Sequence, residues 1–96
     1  MVKLFAAAIV SLAIAAATAA SAEPPVGAAA CSGCHPTSTR VSSPVPRLAG
    51  RDQAALVKAM QDFRSGARAG TVMDRIAKGF TDEEIQVIAA WYAAQK

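Results

Sequence analysis

Residues 31–35 read Cys31-Ser32-Gly33-Cys34-His35. Two thiols bracket two small residues, and an imidazole follows at once. That spacing suits covalent haem attachment: each thiol adds across one vinyl group, and the adjacent imidazole reaches the iron from one face. Other chemistries share the Cys-x-x-Cys spacing. A thioredoxin-like redox pair needs a strand-and-helix framework, and the chain has no strand-like alternation. A zinc site needs more ligands than the two cysteines and one histidine present. A structural disulfide needs no histidine beside it. The pentapeptide therefore points to one covalent haem c.

The start of the chain agrees with that chemistry. Met1-Val2-Lys3 is short and basic, and residues 4–20 are almost entirely apolar. Ala20-Ser21-Ala22 supplies the small residues a signal peptidase accepts, so residues 1–22 are expected to be a signal peptide cleaved after about Ala22. An uncleaved anchor is the alternative, because the apolar run is near the lower length limit for a span. With cleavage, no stable membrane span is expected. Export places the cysteines in the periplasm, outside the bacterial cytoplasm, where haem is attached to chains that arrive unfolded.

Residues 23–96 then form one small domain, 74 residues by subtraction. A purely apolar core is marginal at that size, and a staple is expected. A haem plate is such a staple. Setting Lys3 aside, nine Lys and Arg face seven Asp and Glu. The basic residues are scattered, with no basic patch interleaved with aromatics, so nucleic acid is not an expected partner. A mild positive field can steer an acidic redox partner.

The elements around the motif read as helices and irregular loops. Residues 26–34 are rich in alanine, and Gly27, Ala28, Ala29 and Ala30 are small enough for close helix approach. His35-Pro36 ends that helix. Residues 36–50 hold three prolines with Ser and Thr between them, a long loop of the kind that serves a function. A second helix is predicted over about 52–65, with Leu56, Met60 and Phe63 on one face and Val57 beside them. After a glycine-containing loop, residues 73–78 are briefly helical. Thr81 with Glu84 three residues on is a capping box, and Ile85, Ile88, Ala89 and Tyr92 form the buried stripe of the last helix. The fold class is all-α: three to four short helices wrapped around one haem.

His35 covers one face of the iron, and the other face decides function. A thioether there makes a closed electron carrier, whereas an open face binds small molecules. Met60 has ordinary core spacing from Leu56 and Phe63. Met73 follows a loop with no apolar periodicity and lies 38 residues after His35, far enough to cross to the far face. Met73 is the expected sixth ligand, with Lys78 or no ligand as alternatives. Arg47 and Arg51 are candidates for a haem propionate, or else are solvated loop residues.

With these residues in place, the chain resembles the class I c-type cytochromes over nearly all of 26–96. The resemblance implies that the helix bearing the haem motif packs across the last helix, setting 27–30 against Ile88, Trp91 and Tyr92. Pro46-Arg47-Leu48-Ala49-Gly50 matches the family's Pro-x-Leu-x-Gly element. By that match, the Pro46 carbonyl accepts a hydrogen bond from His35 and orients it; otherwise Pro46 is a turn residue. Residues 60–66 and 73–85 are also similar to the cytochrome subunit of flavocytochrome c sulfide dehydrogenase. Some members of that subunit family carry two haems; this chain has one motif.

The implied function is electron transfer through a His35- and Met73-ligated haem. The narrower likeness implies electrons received from a flavoprotein sulfide dehydrogenase subunit and passed to another cytochrome. The alternative is a free-standing cytochrome shuttling electrons between respiratory complexes. A haem enzyme or gas sensor with an open iron face is a different class, and carbon monoxide binding to the reduced protein separates it. No residue looks like a nucleophile or a general base, and the only histidine is assigned to iron. The chain alone is therefore not expected to be an enzyme or to oxidise sulfide.

Overall fold

A computed structural model describes residues 23–96. The expected signal peptide lies outside the described residues. Among these residues four α-helices follow one another: α1 (Ala28–Cys31), α2 (Gln53–Ser65), α3 (Met73–Ile76) and α4 (Asp82–Ala93), with a 3₁₀ turn at Ala77–Gly79 after α3. Among the described residues there is no strand. No helix among them is long and apolar enough to cross a membrane.

Local chemistry sets the helix ends. The Asp52 carboxylate accepts from the Ala55 amide at 3.0 Å and caps α2, which runs to Ser65 as predicted. At α4 the Thr81 hydroxyl accepts from the Glu84 amide at 3.1 Å, and the Glu84 carboxylate accepts from the Thr81 amide at 3.0 Å. Both halves of the capping box are therefore formed. Three acidic residues in the first turn of α4 face the positive end of its dipole.

The first helix is shorter than its alanine content predicts. It begins at Ala28 rather than near Val26, because Gly27 has φ +91°, a left-handed conformation outside the helical region. A side chain at Gly27 has no room either: a Cβ there would lie 2.8 Å from the Phe80 ring and 3.3 Å from Ile88. The glycine lets the start of α1 press directly onto Phe80 and Ile88. After Cys31 the chain turns, with the Gly33 amide donating to the Ala30 carbonyl and the His35 amide to the Cys31 carbonyl.

Two apolar clusters form the core. Ala28 of α1 packs with Ile88 and Tyr92 of α4, joined by Cys31, Leu48, Leu56, Phe80 and Trp91. Val57 of α2 packs with Ile85 and Ala89, joined by Leu56, Met60 and Phe80. The predicted α4 stripe is buried at all four positions. Full burial of Ile85 alone is worth about 2 kcal/mol. On α2 the most buried position is Val57 rather than Leu56, Met60 or Phe63. Val57 packs on Ile85 and Ala89 of α4, Leu56 and Met60 are half-buried against the same cluster, and the Phe63 ring lies against Gly70 and Arg68 instead.

Candidate haem site

The two thiols stand at the end of α1. Cys31 is its last residue and is half-buried; its thiol donates to the Gly27 carbonyl at 3.6 Å. Burial pushes that thiol above its ordinary pKa, against the hydrogen bonding of its own backbone and of the Tyr92 hydroxyl. Cys34 follows in the turn and is exposed. The two cysteines form no disulfide with each other.

His35 closes the turn. Its Nδ1 lies 2.5 Å from the Pro46 carbonyl oxygen, across eleven residues of chain. A carbonyl only accepts, so Nδ1 carries the proton and donates it. Nε2 is then the ring nitrogen with a free lone pair, the tautomer an iron ligand requires.

The proline loop, residues 36–50, lies against the end of α4. The Gly50 amide donates to the Tyr92 carbonyl at 3.0 Å. Arg47 Nε donates to the Thr37 carbonyl and Arg47 Nη2 to the Lys96 carbonyl, both at 2.8 Å. Arg47 is therefore not a solvated loop arginine. Arg51 is exposed, and its side chain makes no hydrogen bond among the described residues. The Tyr92 hydroxyl donates to the Ala28 carbonyl at 2.5 Å and so joins the end of α4 back to the helix that carries the cysteines. Trp91 meets Tyr92 edge to face, with ring centroids 4.9 Å apart.

Met73 is the first residue of α3 and is half-buried. The loop before it is held by Phe63: the Arg68 guanidinium lies 4.8 Å from the ring centroid, and a Cβ on Gly70 would come within 3.0 Å of the ring. Arg64 holds the following segment, donating to the Phe80 carbonyl at 3.3 Å and pairing with Asp82. Met73 belongs to neither core cluster, whereas Met60 packs on Val57, Ile85 and Ala89. The structure thus gathers Cys31, Cys34, His35 and Pro46 into one site. Met73 sits on a separate segment, with no hydrogen bond or shared cluster linking it to them.

The residues present fit a haem. Two thiols three positions apart stand beside an imidazole whose inner nitrogen is already engaged. Apolar side chains that the chain leaves half-covered, Leu48, Leu56, Phe80 and Trp91, pack against the same cluster of Ala28, Ile88 and Tyr92 as Cys31. Trp91 Nε1 is a buried donor with no acceptor among the described residues. Composition and spacing gave no sign of the Arg47 bridges or of the Tyr92–Ala28 bond. Each joins groups that only the packed helices bring together.

No family model matches the chain. Several curated proteins do. The chain is 44% identical over 62 residues to the cytochrome subunit of sulfide dehydrogenase of Chlorobaculum tepidum, which covers 65% of this chain and 56% of that one. It is 42% identical over 65 residues to the thiosulfate dehydrogenase electron acceptor of Stutzerimonas stutzeri, covering 66% of this chain and 30% of that one. It is 34% identical over 82 residues to cytochrome c-554(548) of Halomonas halodenitrificans, covering 81% of this chain and 96% of that one. The chain thus spans about half of the first relative, under a third of the second and nearly all of the third.

Proposed function

The chain belongs to the class I c-type cytochromes, and from that membership we propose that it carries single electrons through a haem ligated by His35 and Met73. Its prosthetic group is one covalently attached haem c. When bound, the haem supplies a one-electron iron couple. The chain's own residues do the rest. Cys31 and Cys34 hold the group through thioether bonds, and His35 Nε2 and Met73 Sδ are the iron ligands. The Pro46 carbonyl fixes the His35 ring and keeps its proton on Nδ1. The observation that carries this reading is the His35–Pro46 hydrogen bond. It prepares one histidine nitrogen for iron directly beside two thiols at haem spacing.

Residues 1–22 act as the cleaved signal peptide, and the domain of residues 23–96 works in the periplasm. The electron donor is the flavoprotein subunit of a sulfide dehydrogenase, and the acceptor is another cytochrome. The likeness to the Chlorobaculum subunit supports that donor. The near-complete coverage of cytochrome c-554(548) favours a second reading, a free-standing shuttle between respiratory complexes.

Absorption spectroscopy tests the ligands. The ferric protein should show the weak far-red band of methionine ligation, and Met73→Ala should abolish it. A band that survives the substitution assigns the sixth position to another residue. The partner is tested by purifying the tagged cytochrome from its host: a flavoprotein should come with it, and sulfide should reduce the haem in that complex only. A cytochrome that purifies alone leaves the shuttle reading.

A further inference from the structure

We infer that Arg47 is a positioning residue for the His35 imidazole, acting by closing the neck of the proline loop. The inference rests on His35 being an iron ligand. Residues 36–46 form no helix or strand. The only side-chain hydrogen bonds inside them are local, from the Arg40 amide to the Ser38 hydroxyl and from the Val45 amide to the Ser43 hydroxyl, each at 3.1 Å. Such bonds shape turns but do not hold the two ends of a loop together.

Two bonds cross the neck. One is His35 Nδ1 to the Pro46 carbonyl, and the other is Arg47 Nε to the Thr37 carbonyl. Thr37 is two residues beyond His35, and Arg47 is the residue after Pro46. The bonds are therefore neighbouring rungs between the same two stretches of chain. The entropy of closing the loop is lost once for both, so each rung makes the other easier to keep. Without the Arg47 rung, the imidazole's own bond is the one hydrogen bond left across the neck of the loop.

The same guanidinium extends the clamp. Its Nη2 donates to the Lys96 carbonyl, beyond the end of α4, while Gly50 is tied to the Tyr92 carbonyl. Tyr92 in turn is bonded to Ala28 of the helix that carries Cys31. The connections form a ring from the haem-motif helix through α4, Arg47 and Pro46 back to His35. A guanidinium suits this place because its donors are splayed in a rigid plane and can serve carbonyls from two segments at once. An ammonium is a single point and serves the neck less well.

The test uses the reduced holoprotein, in which the His35 Nδ1 proton can be followed by nuclear magnetic resonance. Arg47→Gln should speed exchange of that proton with solvent by about tenfold, the equivalent of about one net hydrogen bond. Arg40→Gln removes the same charge from an exposed arginine of the same loop whose side chain makes no hydrogen bond among the described residues, and should leave the exchange at the wild-type rate. Arg47→Lys should fall between Arg47→Gln and wild type, and it supplies the measurement if the glutamine variant does not fold. Wild-type exchange in both Arg47 variants overturns the inference, and so does equal acceleration in the Arg40 variant, which would mark a charge effect. A wild-type protein whose iron lacks a histidine ligand overturns both this inference and the ligand reading. Normal ligation with unaffected exchange overturns this inference alone.

Discussion

The segments that carry His35 and Met73 are held by different kinds of structure. On the His35 side, two short bonds close the proline loop, His35 with Pro46 and Arg47 with Thr37, and longer ones reach across the domain: Arg47 with Lys96, Gly50 with Tyr92, Tyr92 with Ala28. On the Met73 side none of the contacts spans more than 18 residues: Phe63 against Gly70 and Arg68, and Arg64 with Phe80 and Asp82. The longer bonds of the first set exist only when α1, the proline loop and the end of α4 are all in place. The second set needs the end of α2, the segment after it and the first residue of α4. Opening of the His35 side should therefore coincide with global unfolding, while the Met73 side can open locally at lower free energy.

The largest effects should come from the His35 side. Replacing Cys31 and Cys34 together with alanine should abolish covalent haem, read as loss of the haem mass from the intact protein. The same variant should lose most of its helical circular dichroism, since the domain then depends on a small apolar core. Gly27→Ala should come next. It places a methyl against Phe80 and Ile88 and forces alanine into φ +91°. A global loss of about 2–4 kcal/mol is expected from overpacking and left-handed strain, measured by urea unfolding. Both the far-red band and the helical signal should shift together.

Gly70→Ala sharpens the contrast. Its methyl meets the Phe63 ring at 3.0 Å, beside Met73 rather than beside His35. A cost of about 1 kcal/mol is expected, and it should fall mainly on the Met73 side. The far-red band should disappear at lower urea than the helical signal. Coincident transitions in this variant would show that the two sides open as one unit.

Tyr92→Phe should cost about 1 kcal/mol by deleting the bond to the Ala28 carbonyl. Burial raises the Tyr92 hydroxyl above its ordinary value of 10.0. The folded protein thus holds this proton more tightly than the unfolded chain does. The resulting stability is fully present below pH 10 and is lost as pH rises through the folded value. Wild type should therefore weaken in alkali more steeply than Tyr92→Phe, as parallel thermal melts at rising pH will reveal. The smallest effect belongs to Lys58→Ala. It removes a solvent-facing pair with Asp62 one turn along α2 and should change stability by under about 0.5 kcal/mol.

Much of the fold was legible where local chemistry and periodicity act within a few residues. The Thr81–Glu84 box, the Asp52 cap and the stripe of Ile85, Ile88, Ala89 and Tyr92 are all decided by neighbours on one helix. The extent of α1 was not. Alanine propensity extends it toward Val26, but the close approach of Phe80 and Ile88 demands a left-handed glycine at 27. Arg47 was equally opaque, because its acceptors are backbone carbonyls at Thr37 and Lys96, and carbonyls leave no trace in residue type.

The sequence by itself determined the chemistry: two thiols and an imidazole at fixed spacing specify a covalent haem, and no later folding alters those covalent options. It also determined the helical class, through caps and periodicity that operate locally. Tertiary structure alone decided what anchors the loop that holds the imidazole. Arg47 and Gly50 of the proline loop lie far along the chain from Lys96 and Tyr92. Their hydrogen bonds form only after burial of Ala28, Ile88 and Tyr92 has brought those segments within reach.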